Sequence, residues 1–570
     1  MKPAPRRWRT ADAAPLSGFH PVLGRVLAAR GHDVRSASIL LDSRAAFHDP
    51  LELPGMNEAL ATLREAASER RRVAVYGDYD ADGVTACAML TRTLRAGGID
   101  VLPYIPNRMS EGYGLHGAAL EELAAQGVGC VITVDCGTSS AEVVRNRPAG
   151  MRLVVTDHHL PRELAGGGLD LAPADALINP KLPGSRYPFD GLAGAGVAFK
   201  LVQALEEAGV VPAGSAGGAV GLAALGTIAD MMPLAGENRT IVQRGLPSLL
   251  ELPGVRALAS AAGLAAPVRA ADVAFGLGPR INAAGRMEDA RMALELCLAE
   301  TDEQASDLAS GLELQNRRRQ EAVAVALREA EAQVAALPDD APAIVLGDQG
   351  WPMGIVGLVA GRLAERYARP AFVASLDPVE AKGSARSVPG VHIVRALDAA
   401  SSALLRHGGH VAAAGFSLDA ANFDEFRTLV SDAVAVQLNG APRERVFAID
   451  SDISAEEATP SLCRELAVLE PCGVGNHAPL LALRDAKVLG TSPFGGEGQH
   501  IRVVLAGAGG ILEAVAFHKP GLAAHLPRGR PVDACFSIDV DTWQGQDRVR
   551  ARLRDLRPAQ AEAVRLSAVS

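Results

Sequence analysis

Val73-Ala-Val-Tyr-Gly-Asp-Tyr-Asp-Ala-Asp-Gly-Val84 is the stretch on which the reading of this chain turns. Val73 to Tyr76 is a short apolar run of the kind that forms a buried strand, and Gly77 ends it. Asp78, Asp80 and Asp82 then fall at every second position before Gly83, and Val84 to Leu94 carries a helical pattern. The unit is a strand, a loop and a helix, with carboxylates at the carboxyl end of the strand, the edge at which open α/β sheets bind ligands. Carboxylates so close repel one another and resist ionising together. A divalent cation removes that conflict, and an oxygen-rich set suits magnesium or manganese. Two plainer readings fit the same residues: a solvated acidic loop, or a helix N-terminus capped by Asp.

Further acids and histidines end later apolar runs. Cys130 to Val134 stops at Asp135, Arg152 to Thr156 stops at Asp157-His158-His159, and Val220 to Ala229 is followed by Asp230. Parallel strands expose their carboxyl ends on one edge, so these groups can converge. A single His on an apolar face is usually a core residue; two in succession after an Asp at a strand end are harder to explain that way. Neutral imidazole is a common metal ligand, and a neighbouring carboxylate can orient it.

The runs Val73–Tyr76, Val101–Ile105, Cys130–Val134, Arg152–Thr156 and Ala176–Ile178 alternate with helical patterns, which predicts an α/β fold built on a doubly wound parallel sheet. Residues 212 to 300 read as mainly helical. Thr301 to Leu337 is one long helical pattern that would connect two lobes, and the plainer reading of its Arg317, Arg318 and Arg319 is a solvated face. Ala343 opens a second α/β region. There Ser384 and Arg386 sit two apart on one strand face, where Arg could grip a terminal phosphate bidentately. Gly408-Gly409-His410 either lets backbone N–H groups approach a phosphate or makes a tight turn. From about residue 445, short alternating runs with Gly-rich turns predict a small barrel. Its last strand places Arg548, Arg550, Arg552 and Arg554 on one face and Val549, Ala551 and Leu553 on the other. That face is either a track for single-stranded nucleic acid or a solvated barrel wall.

The 570 residues predict several domains, and 48% hydrophobic with 21% charged residues is ordinary globular composition. A net charge of −10 argues against a wholly basic surface but leaves room for a local basic channel. Aromatics make up 4%, so stacking platforms must be few. The seven Cys are scattered without metal or disulfide spacing and read as reduced thiols, which predicts a cytoplasmic protein. The basic N-terminus is followed by no apolar core, and the longest apolar stretch, around Gly217 to Ala229, is too short to span a bilayer; no membrane association is expected.

Asp157-His158-His159 together with Asp78-Tyr-Asp80-Ala-Asp82-Gly83 resembles the DHH phosphoesterase superfamily. Pro106-Asn-Arg108-Met-Ser-Glu111-Gly-Tyr113-Gly114, Gly226-Thr-Ile-Ala-Asp230 and Leu277-Gly-Pro-Arg280-Ile-Asn282-Ala-Ala-Gly285-Arg286 narrow the resemblance to its bacterial single-strand-specific DNA exonucleases. The similarity runs over nearly the whole chain. It implies a DHH domain with an N-terminal extension over 1–300, a connecting helix over 301–338, a DHH-associated nucleic-acid-binding domain over 339–440 and an OB-fold over 441–560. Pro471-Cys472-Gly-Val-Gly-Asn-His477-Ala-Pro479 resembles the family's linker, with Cys472 and His477 replacing the usual Phe and Pro.

The implied activity is 5′ to 3′ hydrolysis of single-stranded DNA to 5′-mononucleotides by a two-metal mechanism, in repair and recombination. Two divalent ions, Mn2+ or Mg2+, would be held by Asp78 and Asp80 on one side and by Asp82, His158 and Asp230 on the other, with Asp135 bridging. Asp157 would support the histidines, and His159 would contact the scissile phosphate or assist the leaving group. Arg108, Arg280, Asn282, Arg286, Ser384, Arg386, Gly408, Gly409, His410 and the Arg548, Arg550, Arg552 and Arg554 face would contact the strand. Where some relatives carry a His, this chain has Tyr76, and Asp78 is the natural substitute. Implied partners are a single-strand-binding protein and a DNA helicase, with a monomer expected. Two alternatives stand beside this: a phosphodiesterase for short oligonucleotides or cyclic dinucleotides, and a replication scaffold that binds single strands without cutting.

Overall fold

The computed structural model describes residues 1–42, 44–108, 111–164, 166–496, 498–543 and 546–559. Met109-Ser110, part of one string that carries the family resemblance, and residue 560, the expected end of the barrel domain, lie outside the described residues. The chain divides into two compact units, one of residues 1–6 and 46–445, the other of residues 7–45 and 446–570.

In the first unit all five predicted strands form one parallel sheet in the order Val101–Tyr104, Arg72–Gly77, Val128–Val134, Arg152–Thr156, Ala176–Ile178. Side chains alternate across it. Val73 and Val75 enter a large core with the helices Ala81–Ala96, Gly194–Glu207 and Ser215–Ala229, while Ala74 and Tyr76 enter a second core on the opposite face with Leu120 and Leu123 of the helix Gly117–Ala125. Both faces are covered, which is why the strand sequences are nearly continuous apolar runs.

Asp230, unlike Asp78, Asp135 and Asp157, follows a helix, in keeping with the mainly helical reading of residues 212 to 300. The run before it is the helix Ser215–Ala229, buried from Ala219 to Ile228, and a helix apolar all round shows no periodicity to betray it. The long helix spans Asp302–Ala335, with the Thr301 side chain accepting from Gln304 N–H at 3.3 Å. Arg317 pairs with Glu313 at 2.8 Å and Arg318 with Glu288 at 3.3 Å, so these two belong to the solvated helix surface. The second α/β domain is a five-stranded sheet in the order Arg406–Gly409, Ala413–Asp419, Glu380–Arg386, Ala371–Leu376, Ile344–Asp348; only the last pair is parallel.

In the second unit Leu481–Phe494, His500–Gly507, Gly510–Ala516, Gln546–Pro558 and Pro531–Trp543 are joined in that order. Pro531–Trp543 pairs back onto Leu481–Phe494, which closes a five-stranded barrel. Residues 7–45 belong with this barrel and not with residues 46–300 as the resemblance implied. Val22, Leu23, Val26 and Leu27 of the helix Pro21–Ala29 share one buried core with Leu462, Leu481 and Val503. Among the described residues no helix is long and apolar enough to cross a membrane.

Candidate metal centre and phosphate-binding groups

The loop after Arg72–Gly77 is shaped by its glycine. A Cβ on Gly83 would lie 2.5 Å from both N and O of Asp78, so only glycine lets the helix start so close to the strand end. Asp80 is the N-cap of Ala81–Ala96, its Oδ1 accepting from the N–H groups of Asp82 at 2.8 Å and Gly83 at 3.1 Å. The capping reading therefore holds for Asp80. Asp78 is buried and its Oδ1 has no hydrogen-bond partner. Asp82 turns inward from the first helical turn. Its oxygens accept from Gly194 N–H at 2.7 Å and Ala195 N–H at 2.8 Å, the start of Gly194–Glu207, where the helix dipole favours negative charge.

Asp135 follows Val128–Val134 with φ 62°, the left-handed region, and its buried Oδ1 has no hydrogen-bond partner. That oxygen lies 3.1 Å from His158 Nε2, which is 3.7 Å from Asp230 Oδ2 and 3.9 Å from Asp82 Oδ2. His158 Nε2 is itself buried without a hydrogen-bond partner. Three groups of possible ligand atoms result, each within 4.8 Å of one another: Asp78, Asp80, Asp135; Asp82, His158, Asp230; and Asp135, His158, His159.

The electrostatics describe a site built for cations. Burial, then the charge of Asp80, pushes Asp78 well above the carboxylate range; burial, then Asp82, does the same to Asp135. Burial with Asp80 raises Asp82 to about 7, and burial with Asp82 and Asp80 raises Asp230 to about 9. Burial and then His159 lower His158 to about 3, which leaves a neutral imidazole ready to coordinate. Orphaned buried oxygens, an orphaned imidazole nitrogen and crowded carboxylates together fit divalent cations, and the oxygen-rich set fits Mn2+ or Mg2+.

Asp157 has no oxygen to spare. Oδ2 accepts from Thr138 N–H at 2.9 Å; Oδ1 accepts from the N–H groups of His158 at 2.7 Å and His159 at 3.1 Å, and meets His159 Nδ1 at 2.8 Å. Burial alone would raise this carboxyl, but the hydrogen bond and charge of His159 hold it below its ordinary range. Burial would likewise lower His159, and Asp157 overrides it and raises the ring. His159 lies near-parallel to His410 of the second α/β domain, centroids 6.0 Å apart at 18°, and its Nδ1 is 3.1 Å from the Tyr113 hydroxyl. Tyr76 faces the opposite core, its hydroxyl donating to Gly114 O at 2.9 Å.

Several of the expected strand-binding residues gather beside this centre. Burial, then Arg108, Arg319 and Arg386, lowers Arg286 to about 10; burial and Arg108 lower Arg386. Buried guanidiniums depressed in this way by neighbouring cations are stabilised by an anion. Arg108 lies 4.9 Å above the Tyr79 ring. Arg386 Nη1 donates to Ser384 Oγ at 2.8 Å, and Gly357 of the helix Met353–Tyr367 makes room for both, since a Cβ there would be 3.0 Å from each side chain. Gly409 takes φ 151°, and a Cβ on it would lie 2.5 Å from Ala414 Cα; Gly408 borders open space.

Other expected contacts turn out otherwise engaged. Arg280 pairs with Glu313 at 2.7 Å and donates to Gly276 O at 2.8 Å, tying its helix to the long helix. Asn282 Oδ1 accepts from Ala81 N–H at 2.8 Å, so it fixes the aspartate-bearing helix. On the barrel, Arg550 pairs with Asp541 at 3.2 Å and Asp539 at 3.5 Å, so counter-charges from the neighbouring strand engage one member of the expected basic track. Arg552 and Arg554 remain on the exposed face.

Two glycines escaped the sequence reading. A Cβ on Gly194 would lie 2.6 Å from Asp135 Cβ. One on Gly226 would lie 2.5 Å from Ala195 Cβ and Thr85 Oγ1 and 2.7 Å from Asp82 Oδ1. Glycine inside an otherwise apolar helix, as at Gly226, is the signal that could have marked such a close approach.

Three family models match the chain: the DHH family, N-terminal domain, over residues 72–227; the DHHA1 domain over 340–436; and the RecJ OB domain over 449–555. The single-stranded-DNA-specific exonuclease RecJ of Bacillus subtilis (strain 168) is 33% identical over 543 residues, covering 94% of this chain and 68% of that protein. The protein of the same name from Dickeya dadantii (strain 3937) is 35% identical over 585 residues, covering 97% and 99%. The crystal structure of RecJ in complex with Mn2+ from Thermus thermophilus matches with a TM-score of 0.81 at 34% identity, covering 97% of this chain and 80% of that one. The corresponding Mg2+ complex matches at 0.77 and 33%, covering 97% and 79%.

Proposed function

The chain belongs to the RecJ family of single-stranded-DNA-specific exonucleases, and from that premise we propose that it removes mononucleotides from the 5′ end of single-stranded DNA with two divalent cations, Mn2+ or Mg2+. One observation carries this reading: Asp78, Asp80 and Asp135 form one ligand group, Asp82, His158 and Asp230 a second, and His158 Nε2 lies 3.1 Å from Asp135 Oδ1 where the two adjoin. The expected scaffold alternative has no support in a site whose ligand positions are all filled.

In this reading Asp78 and Asp80 would hold one ion and Asp82, His158 and Asp230 the other, with Asp135 available to both groups. Bound there, such ions supply Lewis acidity at the phosphate and an acidified water. Asp157 keeps Nδ1 of His159 engaged, which leaves Nε2 as the atom to donate to the scissile phosphate or to the leaving 3′ oxygen. His410 lies near-parallel to the same ring, 6.0 Å away. Arg386, oriented through Ser384, together with Arg286 and Arg108, would take the terminal 5′-phosphate, since guanidinium matches a phosphate bidentately.

None of the seven Cys forms a disulfide and all but Cys472 are buried, in keeping with a reducing, cytoplasmic setting. A single-strand-binding protein and a helicase would present the strand, with the enzyme acting as a monomer. The test uses a single strand and a blunt duplex, each labelled at either end, with Mn2+, with Mg2+ and with chelator. Metal-dependent loss of nucleotides from the 5′ end of the single strand alone is expected. Release beginning at the 3′ end, or equal digestion of the blunt duplex, would overturn it.

A further inference from the structure

Ala176–Ile178, the edge strand of the parallel sheet beside Arg152–Thr156, brings a lysine to the edge where the ligands stand. Asn179 follows the strand and is fully buried. Its Nδ2 donates to Thr138 Oγ1 at 2.9 Å and to His159 O at 2.8 Å, and its Oδ1 accepts from Lys181 N–H at 2.9 Å. An Asn side chain that accepts from the backbone two residues on fixes the turn between them. Thr138 N–H in turn donates to Asp157 Oδ2 at 2.9 Å. Lys181 is thereby tied to the same groups that position His159.

The Lys181 side chain is half-buried, and among the described residues its ammonium has neither an ion pair nor a hydrogen bond. The charges around it are largely those of the metal centre. Burial lowers this ammonium, and Asp230, then Asp190, Asp157 and Asp135 act against burial. Burial, His159 and then Lys181 lower His410, which lies across the His159 ring. A half-buried cation that stands among acids without closing onto any of them is completed by an anion that reaches it.

The arginines stand at the other end of the centre. Arg108 lies 4.9 Å above the ring of Tyr79, the residue between Asp78 and Asp80. Gly285, next to Arg286, is packed on the same loop, where a Cβ would come 2.6 Å from Tyr79 O. Asp80 is the acid that favours the charged form of Arg286, whereas Lys181 is the cation that favours the charged form of Asp230. Cations therefore flank both ligand groups, arginines beside Asp78 and Asp80, a lysine beside Asp230. A strand whose terminal phosphate is held by the arginines, and whose scissile phosphate lies over the ligand groups, runs on toward Lys181. The chemistry of the two ends suits this order. A guanidinium fork matches a terminal phosphate with its free oxygens, and a lysine, a compact point charge, suffices for an internal diester.

We infer that Lys181 is a further strand-binding residue, its ammonium taking the phosphate of the second internucleotide linkage, one step to the 3′ side of the scissile one. The inference rests on the exonuclease reading and names the contact that holds the remaining strand while its first nucleotide is removed.

The test uses the full chain with Mn2+ and follows release of the first nucleotide from 5′-phosphorylated, end-labelled single strands. One strand is all phosphate, one carries a neutral methylphosphonate at the second linkage, and one carries it several linkages further on. Lys181→Met keeps the apolar stem without the charge; KM for the all-phosphate strand should rise about 10-fold, with kcat changing far less, and Lys181→Arg should recover most of the loss. The second-linkage methylphosphonate should cost the parent about 10-fold in kcat/KM but cost Lys181→Met little, because the contact is already gone. The distal methylphosphonate should cost parent and variant alike. A parent indifferent to the second-linkage methylphosphonate would overturn the contact without any variant. So would parent-like KM in Lys181→Met, an equal second-linkage penalty in parent and variant, or a loss confined to kcat, which would move Lys181 to the reacting atoms. A parent that releases no nucleotide from the all-phosphate strand defeats the exonuclease reading, whereas a parent that cuts it and shows the same second-linkage penalty as Lys181→Met defeats only the contact.

Discussion

Replacing Asp135 by Asn separates the two roles that its position gives it. The backbone there is left-handed, φ 62°, which Asn tolerates better than most residues, and Asn keeps the volume that Gly194 is packed against. The substitution removes the charge and leaves the shape. The charges facing it are Asp82, Asp80, Asp230 and Asp78. In the group Asp78, Asp80 and Asp135 the candidate ligand oxygens lie within 4.8 Å. Two unit charges at that separation interact by about 3.5 kcal/mol at an effective dielectric of about 20. Because burial and repulsion already favour the protonated forms of Asp78 and Asp135, only part of this is recoverable, on the order of 1–2 kcal/mol. The metal-free variant should therefore melt a few degrees above the metal-free parent.

With Mn2+ the order should reverse, because a ligand common to both groups is gone. Turnover should fall at least about 1,000-fold, equivalent to about 4 kcal/mol of barrier. The assay is thermal denaturation with chelator and with Mn2+, alongside release of nucleotides from an end-labelled single strand. Asp135→Ala should lose the same activity yet melt lower without metal, since Ala in left-handed backbone costs about 1–2 kcal/mol. A metal-free Asp135→Asn protein that melts below the parent while keeping the parent's metal-induced rise, or turnover within tenfold of the parent, would refute the shared-ligand assignment.

Asp82, at about 7, and Asp230, at about 9, stand above their unfolded values, so their stabilising protonated forms are complete at low pH and lost as pH rises through those values. The melting difference between chelated and Mn2+-loaded protein should widen from about pH 6 to about pH 9, and calorimetric Mn2+ titrations should show buffer-dependent proton release; a pH-independent difference would count against this ligand set. Asp157→Asn should leave Mn2+ affinity within about tenfold but cut kcat by about 100-fold or more, because His159 loses the acceptor that orients it; equal losses in both would place Asp157 among the ligands. Arg386→Ala should reduce the preference for a 5′-phosphorylated over an unphosphorylated end by roughly 1.5–3 kcal/mol in competition assays, and an unchanged preference would remove Arg386 from that role. Gly226→Ala should destabilise the fold by about 1–3 kcal/mol and lower activity with it, since the new methyl meets Thr85, Ala195 and Asp82; parent-like melting and turnover would mean the helix shifts freely.

Much of the catalytic edge was legible because a parallel sheet ends its strands on one side. Once the runs ending at Asp78, Asp135 and Asp157 were recognised as strands, their carboxylates had to be neighbours. The run before Asp230 carried the opposite lesson. Its Ala and Gly content and all-round burial erase the 3.6-residue period, so the mainly helical reading of residues 212 to 300 held without any face of the run itself marking which side meets the sheet. Alternation in Gln546–Pro558 revealed a basic face, but not that Asp539 and Asp541 on the adjoining strand pair with Arg550, because pairing between strands leaves no mark in one strand's pattern. Nor does anything local in Val22, Val26 or Leu27 show that they pack with residues more than four hundred positions away; an amphipathic helix declares that it needs a partner, not which one.

The two carboxylates beside His158 show how the fold prepares its ligands unequally. Asp82 is the more deeply buried, its side chain fully enclosed where that of Asp230 is 26% exposed, so desolvation alone should make Asp82 the harder to ionise. The order is the reverse, about 7 for Asp82 against about 9 for Asp230. The difference lies in the N–H groups of Gly194 and Ala195, which point at Asp82 from a helix N-terminus and stabilise its charged form. Gly194 and Gly226 allow that helix and its neighbour to come close enough for this geometry, since a Cβ at either position would intrude on Asp135 or Asp82. In the proposed two-ion reading, then, Asp82 would be the carboxylate readier to receive a cation near neutral pH, and Asp230 would have to give up a proton to do so. The acids of the Asp78 to Asp82 loop owe their geometry to helices packed more than a hundred residues further along the chain.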